Sequence, residues 1–85
     1  MTNIATISGN VVWIKEMRAY VVILILCDKE LIYTFTLKEL IDTSELQDKY
    51  VIVSGSLANV NIVHLESNHK KTITAIQIEH LEKID

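Results

Sequence analysis

The sequence predicts an all-β domain with one short helix, its five strands closed into a small barrel. Three observations predict it. Most of the 85 residues lie in runs rich in Ile, Val and Thr, those runs are joined by short polar connections, and only the segment between Lys38 and Lys49 breaks the strand pattern. β-Branched side chains suit a pleated surface, and alternation with period two marks a strand with two different faces. No linker, repeat or change of composition divides residues 1–85, so they read as a single domain.

The first strand runs from Ile4 to Ile14, with Ile7, Val11 and Trp13 on one parity and Thr6, Ser8 and Asn10 on the other. Gly9 in its middle predicts a bulge or a sharp coil. Lys15 to Arg18 is a polar connection. Ala19 to Cys27 is continuously apolar, which predicts a strand covered on both faces. Asp28 to Glu30 is a turn, and Leu31 to Leu37 returns as the third strand, Tyr33 and Phe35 alternating with Thr34 and Thr36. In the break, Leu40, Ile41 and Leu46 stand among charged residues as a short helix or two helical turns would place them, with Ser44 able to start a second turn. Tyr50 to Val63 is a fourth strand interrupted by Gly55, His64 to Lys71 a polar loop, and Thr72 to Leu81 a fifth strand. The order β-β-β-α-β-β is that of the five-stranded OB fold, whose closure removes most open edges. An SH3-like barrel is the structural rival and has no helix of this length at this point.

Charge and cysteine content narrow the function. The net charge is −3 and the pI about 5.5. A duplex-DNA binder draws its affinity from neutralised phosphates and carries a basic excess, which this chain lacks. The lone Cys27 excludes an internal disulfide and lies in an apolar run, as a buried thiol in a reducing, cytoplasmic setting would. The apolar run is shorter than the about 20 residues that span a bilayer, and Met1 to Ile4 has no leader character, so a soluble protein without membrane association is expected. His64, His69 and His80 lack the spacing of a metal site, and no nucleophile elbow, phosphate loop or dinucleotide fingerprint occurs. Neither an enzyme nor a cofactor is expected.

With the strands placed, a resemblance emerges. Asn3 to Val11 resembles the first strand of the bacterial single-stranded DNA-binding proteins, N-x-V-x-L-x-G-x-L, and Tyr50 to Leu57 resembles their fourth, V-x-V-E-G-x-L. Lys71 to Leu81 is similar to their final strand, and both glycines fall on glycine positions of that family. Asp48-Lys49 stands where the family has Lys-Gly, and the chain stops at Asp85 without the family's acidic tail, as in the small, dimeric primosomal relatives of the PriB kind. The resemblance implies an OB protein that binds single-stranded DNA, or RNA, with little base specificity. It also implies a role in replication, recombination or repair, assembly as a homodimer or tetramer, and contacts with replication proteins.

Single strands are held by aromatic platforms and a basic groove. In the resembled family the aromatics lie on the second and third strands, which makes Tyr20, Tyr33 and Phe35 candidates here, with Trp13 beside them. A core-facing reading stands beside this one, because Tyr33 and Phe35 share the parity of Leu31 and Leu37. The basic candidates are Lys15 and Arg18 in the first connection, and His64, His69, Lys70 and Lys71 in the last. Those two connections flank the ligand face of OB folds. Glu16 and Glu66 sit among them, as ordinary solvated loop charge would. An OB barrel that has lost nucleic-acid contact and serves as a protein-interaction subunit is the alternative, favoured by the acidic pI and the aliphatic surplus.

Overall fold

The computed structural model describes residues 3–64 and 69–84, with side chains described outside 62–70. Five strands are present: β1 (Ile4–Glu16), β2 (Tyr20–Cys27), β3 (Glu30–Leu37), β4 (Tyr50–His64) and β5 (His69–Ile84). They close into a barrel in the order β1-β2-β3-β5-β4. Every neighbouring pair is antiparallel except β3 and β5, which run parallel and meet at Thr34↔Ile76 and Phe35↔Gln77. This is the OB barrel that the sequence predicts. Among the described residues no helix is long and apolar enough to cross a membrane.

β1 closes the barrel by serving two partners. Its first half, Ile4 to Asn10, pairs with β4, and its second half, from Asn10 to Glu16, pairs with β2. Gly9 sits at the changeover. A Cβ there would overlap the Leu26 carbonyl oxygen and lie 2.9 Å from Ile25 Cγ2. The register shift expected at Gly9 lies further on, between Val11 and Trp13. Val12 is the extra residue, so Val11 and Ile14 both face the core while Val12 and Trp13 are exposed. Trp13 therefore leaves the parity it shares with Ile7 and Val11 in the sequence.

The hairpin between β2 and β3 is a two-residue turn with positive φ at Asp28 (47°) and Lys29 (71°). That is the type I′ geometry whose twist matches the flanking strands. Of the two forms expected between β3 and β4, the helical turns are present and a continuous helix is not. The chain makes a 3-10 turn, Lys38–Leu40, and is extended at Ile41 (φ −144°, ψ 142°). It turns again from Ser44, where Leu46 N–H donates to Thr43 O at 3.2 Å and Lys49 N–H to Leu46 O at 3.0 Å. Ile41, Asp42, Thr43 and Ser44 are all weak helix formers. Asp42 also takes the Ser44 backbone N–H on its side chain at 3.0 Å, a local bond that competes with helix. The same hydrogen bonds from Ser44, backbone first and hydroxyl second, hold the exposed Asp42 carboxyl below its ordinary pKa. Asp48 N–H to Val11 O and Val11 N–H to Lys49 O, both 2.8 Å, stitch the connection to β1. Leu46, buried, then fills the barrel end that a helix would have plugged.

The core is built almost wholly from β-branched side chains. Val11, Val21, Ile23, Ile25, Val51, Val53 and Ile76 are buried, and Thr34 and Thr36 are buried with them. Burying one such aliphatic side chain contributes roughly 1.5–3 kcal/mol. Thr34 satisfies its hydroxyl by donating to Ile23 O at 2.7 Å, so the polar atom costs little there. β4 and β5 approach closely at Gly55, beside a register shift that leaves Glu79 unopposed. A Cβ on Gly55 would overlap the Gln77 carbonyl oxygen and lie 3.0 Å from Glu79 N.

That overlap is with backbone, which cannot rotate away. Gly55→Ala should lower stability by roughly 1–3 kcal/mol, and Gly55→Val by more, measured by urea denaturation. An unchanged midpoint for Gly55→Val would contradict the closeness of β4 and β5.

Candidate nucleic-acid interface

The inward turn of Thr34 and Thr36 decides what lies outside. β3 has Ile32, Thr34 and Thr36 on its inner face, opposite Ile25, Ile23 and Val21 of β2. Its outer face therefore carries Leu31, Tyr33, Phe35 and Leu37, opposite Leu26, Leu24, Val22 and Tyr20. The sequence pattern leaves Tyr33 and Phe35 between core and surface; the structure puts both outside the barrel and half-buried. The outer face of β2, expected to be covered, is open at its ends among the described residues: Tyr20 is 47% and Leu26 41% exposed, with Val22 and Leu24 between them half-buried.

β1 extends this face. Trp13 pairs with Leu24, which pairs with Tyr33, giving one row across three strands. The next row is Lys15, Val22, Phe35 and Gln77. Adjacent strands lie about 4.8 Å apart, so Trp13 and Tyr33 flank Leu24 at about 10 Å between backbones. Tyr20 meets Phe35 edge to face, centroids 6.3 Å apart at 62°. The bulge at Val12 is what brings Trp13 into the row. No acidic residue occupies these rows, and the ion pair of Lys83 with Glu45, at 3.5 Å, is elsewhere.

Arg18 is exposed in the connection beside Tyr20. A shallow cleft of about 380 Å³, lined by Arg18, Ala19, Leu37, Lys38 and Glu39, lies next to it. Lys38 donates to Met17 O at 3.2 Å across that cleft. Sequence reasoning passed over Lys38 because it opened the expected helix; pairing of Tyr20 with Leu37 is what brings it to Arg18.

The second group of candidates lies on the β4–β5 hairpin. The expected loop from His64 to Lys71 is largely strand: His64 pairs with His69, Val63 with Lys70 and Ile62 with Lys71. Residues 65–68, Glu66 among them, lie outside the described residues, as do the side chains of His64, His69 and Lys70. Lys71 is exposed. It stands six residues before Gln77, the neighbour of Phe35, so about 20 Å of strand separates it from the aromatic rows. Trp13, Lys15, Tyr20, Tyr33 and Phe35 thus share one face, Arg18 borders it, and the hairpin residues form a separate group. Among the described residues no three His, Cys, Asp or Glu side chains are grouped as a metal site.

No family model matches the chain, and no curated protein matches it either. Among solved structures, the crystal structure of a mitochondrial single-stranded DNA-binding protein from S. cerevisiae, Rim1, is similar in fold. The TM-score is 0.73 at 14% identity, covering 99% of this chain and 95% of that one. A likeness at that identity is one of fold.

The single tryptophan reports on this geometry. Trp13, 44% exposed, should emit at long wavelength and be quenched readily by acrylamide in the folded protein. Blue-shifted, protected emission would put the ring in the core and remove it from the face.

Proposed function

We propose that this chain binds single-stranded DNA, with little base specificity, through the outer face of β2 and β3 and the end of β1. One observation carries the reading: the barrel interior holds Thr34 and Thr36, and the rings of Tyr33 and Phe35 are turned out beside Trp13, Tyr20 and Lys15. Aromatic faces on an open sheet stack bases whatever their sequence, at about 1–3 kcal/mol per base. Lys15 and Arg18 supply local positive charge that the overall balance of −3 conceals. The strand motifs shared with the bacterial single-stranded DNA-binding proteins and the OB likeness support the same reading. It implies a part in replication, recombination or repair. It also implies assembly as a dimer or tetramer, since several small faces together hold one strand better than one alone. Binding rather than catalysis is the proposed activity, and no cofactor enters it.

A second reading rests on the other end of the same face. Leu31 is 57% exposed beside Leu26, whose partner on the other side is Asn10, so neither is paired with an aromatic or basic residue. A protein surface covering that aliphatic end would make the barrel an interaction subunit.

Fluorescence anisotropy with labelled poly-dT discriminates the two. Binding should weaken with salt, and duplex of equal length should bind less well because its bases are already stacked. Lys15→Ala with Arg18→Ala should flatten the salt slope by about 1.4, near 0.7 per lost phosphate contact on a single strand. Tyr33→Ala should weaken binding with the slope unchanged. No binding at low salt by the folded protein would sink the nucleic-acid reading and leave the interaction subunit. Sedimentation at micromolar concentration should show a dimer or larger; a monomer throughout would remove the argument from several faces.

A further inference from the structure

Beyond Leu57, β4 pairs with β5 alone, and the two strands continue off the barrel as an arm. Within the barrel Val51, Val53 and Gly55 of β4 and Ile76 of β5 are buried. The same parities on the arm carry Asn59 and Asn61 opposite Thr74 and Thr72. Where the strands leave the core, the inward set changes from apolar to amide and hydroxyl. All four of these side chains are exposed.

Their hydrogen bonds run one way. Thr74 Oγ1 donates to Asn59 Oδ1 at 3.3 Å, and Thr72 Oγ1 donates to Asn61 Oδ1 at 2.8 Å. Each amide carbonyl is engaged by its threonine, which leaves the Nδ2 hydrogens of these exposed side chains available to a ligand. Neither Nδ2 has an acceptor among the described residues. The two amides stand two residues apart on one strand, about 7 Å along it. Asparagine is depleted in strands, so two at alternate positions of β4 weaken the arm as a strand. No acidic residue occurs from Ser56 to Ile62 or from His69 to Gln77. Among the described residues the arm is thus a row of neutral donors with no carboxylate to compete for them.

We propose that Asn59 and Asn61 form a hydrogen-bonding subsite for acceptor oxygens of a single strand, either phosphate oxygens or base carbonyls. The inference rests on the nucleic-acid reading above and adds a contact that carries no charge. Amide donors displace no counterions, so their share of the affinity does not vary with salt, unlike that of Lys15 and Arg18.

The test compares the full chain with Asn59→Ala/Asn61→Ala over a salt series, on poly-dT and on an abasic oligomer of equal length. Both positions are exposed, and thermal melting checks that the fold is kept. The double variant should bind poly-dT about tenfold more weakly, a few-fold per lost hydrogen bond, with the salt slope unchanged. The same loss on the abasic strand assigns the donors to phosphate oxygens; a loss confined to poly-dT assigns them to base carbonyls. Thr72→Val/Thr74→Val, which frees the amides to rotate but keeps them, should cost less than the asparagine pair. Equal binding by wild type and the asparagine variant, or a loss accompanied by a flatter slope, overturns this proposal alone. A wild-type chain that binds no single strand overturns the nucleic-acid reading and this one with it.

Discussion

The interior of this barrel is filled by small β-branched side chains and holds no described ring, and much of the structure depends on that packing. Five strands enclose little volume, and the side chains that fill it are Val, Ile and Thr, with Leu46 at one end. Close packing leaves no room to exchange Thr34 for an aromatic without moving a strand. Trp13, Tyr20 and Tyr50 are exposed, and Tyr33 and Phe35 are half-buried on the outer face. The glycines serve the same closure: Gly9 lets β1 pass from β4 to β2 against the Leu26 carbonyl, and Gly55 lets β4 close on the Gln77 carbonyl. A closely packed aliphatic interior thus goes together with an aromatic face outside.

Much of this was legible in the sequence. The five strands, their order and the turn at Asp28 follow from β-branched runs and short polar breaks. Both glycines announced close approach. The alternation in β3 was legible only as alternation: the ordinary rule sends Thr outward and Phe inward, and here it is reversed. Nothing in β2 breaks the tie, because Val21 to Leu26 is apolar on both parities. What decides it is how β3 closes against β2 and β5 around the packed interior, a property of the whole barrel and not of β3 alone. Trp13 was illegible for a related reason. Its direction is set by the bulge at Val12, and no glycine or proline marks that residue.

The segment from Lys38 to Asp48 was legible as two helical turns, at Lys38 and from Ser44, and not as a continuous helix. Its amphipathic spacing of Leu40, Ile41 and Leu46 suits a helix, but Ile41 to Ser44 prefer other backbones, and the Asx bond at Asp42 settles the competition locally. A single buried leucine then suffices to close the barrel end. On the candidate site, the residue types were legible and their grouping was not. Lys15 joins the rings through the β1–β2 register, Lys38 reaches Arg18 through the β2–β3 register, and Asn59 and Asn61 acquire oriented amides only through their threonine partners on β5.

The central claim is that a tightly filled interior makes the outer β2–β3 face the ligand face. Titration of isotope-labelled protein with a short dT oligomer, followed by NMR, tests it most directly. The account predicts the largest shifts at the Trp13 indole, Tyr20, Val22, Leu24, Tyr33 and Phe35, with Val21, Ile23 and Thr34 little changed. Shifts centred on the β3–β4 connection, with the aromatic rows unmoved, would contradict it.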